Sequence, residues 1–377
     1  MSAACDYCLR RGYLVGHLAS RIATLLDGSR RKVPGLLSLD DERLVAAVAG
    51  DEPSAAYAFL ERFDPTEARE AVKARGARAV CRHDRSYPLQ LGQLLDAPAV
   101  LFLTGEGDLH DAVGVEPAVA LVGARRASDY ALEVTRELGR GLGAAGVTVV
   151  SGMALGIDAA AHRACLDGGG TAVAVLACGP DIAYPRTNRM LHERIRERGV
   201  VLSELPPGQR AFRWSFPARN RIMAGLAEIT VLVEAANPSG SMITATFAGG
   251  LNRTVGAVPG QVTSSRAAGT NGLLKDGAMF VTCAQDILDE LFGAGVDRGG
   301  VPDLHEAPAP PADAVEALLL EAVEVGLGID GICSHAGLPV NEARAGLSRL
   351  EAGGYVNRDA LGVYRRTLAL RGPSRAL

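Results

Sequence analysis

The chain has 377 residues, 39 basic and 43 acidic side chains and a formal net charge of −4, with 48% hydrophobic and 22% charged residues. At roughly 100–200 residues per domain it holds two or three domains, and this composition excludes global disorder. No apolar run approaches the roughly 18–20 residues that span a bilayer, no secretory signal is visible, and seven scattered cysteines suit reduced thiols in a cytoplasmic protein.

The first 80 residues read as a small, mostly helical domain. Cys5 and Cys8 form a C-x-x-C pair near its start. No second pair stands at zinc spacing, so no metal site is expected. Residues 86–103 carry several apolar positions that lead into the next domain. Charge is uneven along the chain: residues 1–113 are net −2, residues 114–288 net +3 and residues 289–377 net −5. A polyanion would therefore bind the middle segment. Arginine outnumbers lysine 36 to 3, which fits either a GC-rich genome or a preference for bidentate phosphate contacts.

Within that segment short apolar runs recur at 118–122, 147–150, 172–177, 200–202, 229–233, 254–258 and 279–281. They are rich in Val, Ile and Leu on both faces, as parallel strands buried between helices must be. A helix is predicted over 129–145, where Tyr130, Val134, Leu138 and Leu142 repeat every four residues. Ser128 is placed to cap it. Strands alternating with helices predict a doubly wound, Rossmann-like α/β core over 81–292.

The strand ends carry the candidate chemistry, because these folds bind ligands at the carboxyl ends of their strands. The first loop, 122–128, contains Arg125, Arg126 and Ser128 and opens a helix, a favourable place for an anion. Gly141, Gly143 and Gly146 spell G-x-G-x-x-G. They close a helix and precede a strand, the reverse of a dinucleotide fingerprint. Ser151 and Gly152 follow the second strand. Phe216, Arg219, Asn220 and Arg221 combine an aromatic ring with arginines, the minimum set for single-stranded nucleic acid. The same residues, with Trp214, could equally be core aromatics beside surface arginines. Ser239, Gly240 and Ser241 start a later helix, and Asn271 with Lys275 lies near the last one. Several small, polar loops converging on one sheet edge favour a phosphate-bearing ligand.

A Pro- and Gly-rich linker follows over 293–311. Beyond it, helices are predicted at 315–325, 329–336 and 340–351, with short strands at 355–358 and 362–366. This is a winged-helix pattern over 312–370. It holds five basic and eight acidic residues, whereas duplex readers draw affinity from a basic face. An accessory role is expected. Enzyme signatures are missing: no P-loop, no G-x-S-x-G and no H-E-x-x-H. Asp158 and His162, four apart on a helix near Ser151, read as a local surface pair rather than part of a triad. No catalytic residue, cofactor or metal is expected.

The runs VALVGARRAS, VVSGMALGIDAAAH, AVLACGPDIAYPRTN, FPARNRIMAGLA, VLVEAANPSGSMITA and GTNGLLKDGA resemble the DNA-processing protein A family (DprA, also called Smf). The resemblance covers roughly residues 82–290 in unbroken order. It implies a Rossmann-like core that binds single-stranded DNA, dimerises and loads the recombinase RecA onto incoming DNA in natural transformation, without catalytic activity. It carries DNA contacts onto Arg125, Ser128, Ser151, Gly152, Phe216, Arg219, Asn220, Asn271 and Lys275. Leu155 stands where many members carry Lys or Arg. The N-terminal stretch is similar in character to the family's small SAM or helix-hairpin-helix domain. Two other readings are weighed. A nucleoside-monophosphate phosphoribohydrolase would carry P-G-G-x-G-T-x-x-E, but Pro259-Gly260 continues as Gln-Val-Thr. A winged-helix transcription regulator would need more positive charge in its wing.

Overall fold

The computed structural model describes residues 4–27, 33–50, 53–296, 298, 311, 313–358 and 362–366. The chain divides into two compact units, Met1–Val301 and Pro302–Leu377.

The first unit opens with five helices, α1 (Asp6–Asp27), α2 (Val33–Leu37), α3 (Asp41–Ala49), α4 (Ser54–Arg62) and α5 (Pro65–Ala74). Two short strands follow, β1 (Arg78–Cys81) and β2 (Val100–Thr104). The alternating part then runs β3 (Ala118–Val122), α6 (Asp129–Ala144), β4 (Thr148–Ser151), α7 (Ile157–Asp167), β5 (Ala172–Val175), α8 (Arg189–Arg198), β6 (Val200–Ser203), α9 (Ser215–Leu226), β7 (Ile229–Leu232), α10 (Gly240–Gly250), β8 (Thr254–Ala257), α11 (Ala268–Lys275), β9 (Met279–Phe280) and α12 (Ala284–Phe292). The nine strands form one sheet in the order β1-β2-β6-β5-β4-β3-β7-β8-β9. The seven strands from β3 to β9 pair in parallel, while β2 runs antiparallel to both β6 and β1. This is a mixed α/β, Rossmann-like fold.

Alternation along β3 shows why the sheet needs two covered faces. Ala118, Ala120 and Val122 enter one core with Val150, Ile222 and Leu226, whereas Val119 and Leu121 enter another with Val134, Leu138 and Ile157. Helices α9 and α10 cover the first face, and α6, α7 and α12 the second. Helix α6 lies so close to α7 that a Cβ at Gly143 would overlap the Cys165 carbonyl. The glycine pattern around 141–146 thus serves helix packing and a turn.

The sheet is larger than the seven apolar runs suggested, because β1 and β2 extend it past β6. A boundary at 80/81 would cut through β1. The N-terminal helices also share a core with the α/β part. Leu14, Leu18 and Ile22 of α1 pack with Leu44, Val45 and Trp214, and the Trp214 indole donates to the Ala19 carbonyl at 2.9 Å. Trp214 is a core residue.

The second unit holds α13 (Ala314–Glu324), α14 (Ile329–Ala336), α15 (Val340–Ala352) and an antiparallel pair, β10 (Val356–Arg358) and β11 (Tyr364–Arg366). Leu319, Ile332, Leu347, Leu350 and Val356 form its core. Most of the expected linker over 293–311 lies outside the described residues. Among the described residues no helix is long and apolar enough to cross a membrane.

Candidate functional site

Strand order reverses on either side of β3, with β4 on one flank and β7 on the other. Open α/β sheets bind ligands at such a switch point, beyond the carboxyl ends of the strands. A crevice of about 240 Å³ lies there. Its walls come from the loop after β3 (Gly123, Ala124, Arg125), the start of α7 with the turn before it (Ala154, Asp158), α9 (Phe216, Arg219, Asn220) and the start of α10 (Ser239, Gly240, Ser241). The volume is below the ~300–1,000 Å³ of small-molecule pockets and suits a phosphate or one base of a longer ligand.

Arg125 and Arg126 are exposed. The Arg125 guanidinium lies 5.2 Å from the centre of the Phe216 ring, and the Tyr184 ring centre lies 5.6 Å from that of Phe216. Phe216 is half-buried and Tyr184 is 45% exposed. Sequence reasoning missed Tyr184; its signal was an aromatic in the loop beyond β5, another strand end on the same sheet edge. The segment from Phe216 to Arg221 is helical rather than a loop. Pro217 sits in the first turn of α9, where no backbone N–H is needed. Helical spacing puts Phe216, Arg219 and Asn220 on the crevice side.

Several sequence-predicted contacts turn out to be internal. Arg219 is 7% exposed. Its guanidinium donates to the carbonyls of Gly152 and Val175 at 2.5 and 2.6 Å and to Asn220 Oδ1 at 3.0 Å, and lies 3.6 Å from Asp158. It therefore braces the crevice wall. Gly152 is needed because a Cβ there would overlap that guanidinium. Burial pushes the Asp158 carboxyl above its ordinary value, and the Arg219 charge pulls it back. Asn220 donates to the Gly240 carbonyl at 3.2 Å and so fixes the start of α10. Arg221 is fully buried, with Asp96 at 2.7 Å and Glu204 at 2.8 Å. The Ser151 hydroxyl is buried and donates to the Leu121 carbonyl at 2.6 Å. Arg221 and Ser151, both expected at the DNA surface, are instead buried and committed to internal bonds. Asn271 clasps Gly260 through both its backbone N–H and C=O at 3.1 Å. Lys275 is exposed at the end of α11, outside the crevice lining.

The two helix N-termini at the crevice differ. At α6 the Glu234 carboxylate accepts from the Ser128 backbone N–H at 2.8 Å and from its hydroxyl at 2.7 Å. A carboxylate built into the fold thereby takes the place expected for a bound anion, and Ser128 is committed to it. At α10 the Ser239 and Ser241 hydroxyls lie 2.7 Å from each other, and no side chain caps the first turn. Ser239, Gly240 and Ser241 line the crevice, so this helix start suits an anion there.

The Ser151–Asp158–His162 grouping does not assemble, since Ser151 and Asp158 have other partners, and the expected surface pair of Asp158 with His162 fails because both are buried and Asp158 turns to Arg219. His162 is fully buried and neither ring nitrogen makes a well-formed hydrogen bond. Burial lowers its pKa to about 3, and the nearby Ser151 backbone opposes that only in part. The unfolded chain takes up this proton near pH 6.5 and the folded chain does not. Stability is therefore complete above that pH and falls as pH drops toward 3. Between pH 7 and 5 the loss from this group is about 2 kcal/mol. Denaturant titrations check it: His162→Gln should lose about 2 kcal/mol less than the parent over that interval. Identical pH dependence would contradict a neutral buried ring.

The family model for DNA recombination-mediator protein A matches residues 78–292. A Protein Smf of Synechocystis is 32% identical over 333 residues, covering 81% of this chain and 84% of that protein. The X-ray structure of DNA processing protein A from Streptococcus pneumoniae superposes with a TM-score of 0.61 at 30% identity, covering 77% of this chain and 98% of that one. The DNA processing protein A of Helicobacter pylori, whose structure concerns its single-stranded DNA binding mode, matches with a TM-score of 0.51 at 29% identity, covering 57% of this chain and 95% of that one.

Proposed function

The chain belongs to the DNA recombination-mediator protein A family, and from that premise we propose that it binds single-stranded DNA at the switch-point crevice and serves DNA processing in natural transformation. One observation carries the reading: an exposed arginine held over a half-buried phenylalanine, with a second aromatic ring beside it, at the mouth of an uncapped helix N-terminus. Stacking on an aromatic platform is sequence-tolerant, and arginines beside it track the backbone. Arg125 moves from the Phe216 ring to a phosphate, leaving the ring face to a base. Arg126 and the first turn of α10 take neighbouring phosphates. Arg219, Asn220 and Gly152 hold the wall, and Ser128 and Asn271 shape the loops. Leu155, 48% exposed beside the crevice, supplies apolar contact in place of a charge.

Handing the coated strand to the recombinase RecA, and dimerisation through the Rossmann-like core, complete the proposal. The family's description as a recombination mediator supports the first. The protein works in the cytoplasm and turns over no substrate. Asp158, the acid in the crevice wall, is held by Arg219, and Glu234 is committed to the α6 N-terminus. The first helices form a small domain of the SAM or helix-hairpin-helix kind, and the second unit is a winged helix with an accessory role.

Two measurements test these assignments. Across a salt series, Arg125→Ala should flatten the slope of log affinity against log salt by about 0.7, one single-strand phosphate contact. An unchanged slope would remove Arg125 from the interface. A chain ending at Val301 should keep its single-strand affinity within about threefold, roughly 0.7 kcal/mol. A hundredfold loss would make the second unit a principal DNA-binding element.

A further inference from the structure

The C-x-x-C pair near the N-terminus does not stand alone. Cys5 precedes α1 and Cys8 lies in its first turn. Cys81 ends β1 and His83 follows in the next turn. Folding brings these two pairs, more than 70 positions apart in sequence, to one place, with one sulfur or ring nitrogen from each residue lying within 4.8 Å of all the others. The expectation of an isolated pair fails because its partners are a C-x-H at the end of an edge strand that the sequence did not reveal.

We infer that Cys5, Cys8, Cys81 and His83 form a structural zinc site of the Cys3His kind. His83 Nδ1 lies 3.4 Å from Cys5 Sγ and 3.5 Å from Cys8 Sγ. In a tetrahedral site with Zn–S near 2.3 Å and Zn–N near 2.0–2.1 Å, neighbouring sulfur and nitrogen stand about 3.5 Å apart. The observed spacing therefore matches ligands around a central ion. Thiolate and imidazole ligands together favour zinc over calcium or magnesium. Four protein ligands close the shell and leave no open position for catalysis. The Cys5 backbone N–H points at Cys81 Sγ at 3.5 Å, the kind of outer hydrogen bond that orients a ligating thiolate. Cys8 and Cys81 are buried against Leu9, Val100 and Phe102, while His83 is exposed and gives an entry path. All seven cysteines are free thiols. The ion fastens the start of α1 to the end of β1, tying the N-terminal helices to the edge of the sheet. It lies apart from the crevice, so this inference does not depend on the DNA-binding reading.

The full-length protein, purified under reducing conditions and dialysed against metal-free buffer, should retain one zinc per chain by mass spectrometry. Stripped protein given Co²⁺ should develop the d–d bands of a tetrahedral site and a thiolate-to-metal charge-transfer band. Cys81→Ser and His83→Ala should each lower retained zinc by at least about tenfold, while Cys333→Ser, in the second unit, keeps it. The wild-type result stands even where a ligand variant fails to fold. A wild-type protein that carries no zinc and gives no cobalt spectrum would overturn the inference, whether its cysteines proved to be free thiols or a disulfide. So would equal zinc loss in Cys333→Ser.

Discussion

Arg221→Ala should destabilise the first unit by about 3–5 kcal/mol, the cost of leaving a buried charge without its partner. Arg221 is the largest fully buried side chain among the described residues. It donates to the Asp96 carboxylate at 2.7 Å and its carbonyl at 2.9 Å, to the Ala218 carbonyl at 2.9 Å, and to both Glu204 oxygens at 2.8 and 3.0 Å. Burial works against the guanidinium charge, but Glu204 and Asp96 outweigh it and hold its pKa above the usual value. These bonds tie α9 to the segment before β2 and to the end of β6, and α9 carries Phe216. Chemical denaturation measures the loss. Replacing the whole group, Arg221→Met with Asp96→Leu and Glu204→Leu, should recover much of it, because no buried charge then lacks a partner. A single variant as stable as the parent would mean that Arg221 reaches solvent and is available to DNA after all.

Phe216→Ala should weaken single-strand binding by about 1–3 kcal/mol, the range for one base stacked on an aromatic ring. That is roughly 5- to 150-fold in Kd. The salt slope should stay as it was, since no phosphate contact is removed. Stability should change little, because the ring is half-buried at the crevice mouth. Trp214→Ala provides the contrast. Its indole is 4% exposed and bonded to the Ala19 carbonyl, so the loss there is about 3–5 kcal/mol of stability. Anisotropy and thermal melts on both variants separate the two roles. If Phe216→Ala unfolds the protein at unchanged affinity per folded molecule, Phe216 is a core residue.

How much of this was legible follows from what each signal depends on. The parallel strands from β3 to β7 announced themselves because burial on both faces makes each a largely apolar run, as in β3, while β8 and β9, toward the sheet edge, are only partly buried. Strands β1 and β2 did not. They are four and five residues long, and nothing local states that β2 pairs antiparallel with a strand about 100 residues later. Strand-end reasoning found Arg125, Phe216 and the Ser239–Ser241 turn, because loop placement follows from the order of elements. It could not rank the arginines. Arg125, Arg219 and Arg221 look alike in sequence, yet the last two are buried by acids from other segments. Asp96 lies 125 residues from Arg221. Likewise the α6 N-terminus looked open until the fold delivered Glu234, 106 residues away, to fill it.

A crevice that serves single strands through stacking and phosphate contacts must distinguish them from duplex. Fluorescence anisotropy with a single-stranded oligonucleotide and the blunt duplex of the same sequence, at several salt concentrations, tests it most directly. Binding to the single strand should be tighter at every salt, with a slope near −0.7 per phosphate contacted, and the preference should shrink in Phe216→Ala. Equal or tighter binding to the duplex, unaffected by Phe216→Ala, would contradict it.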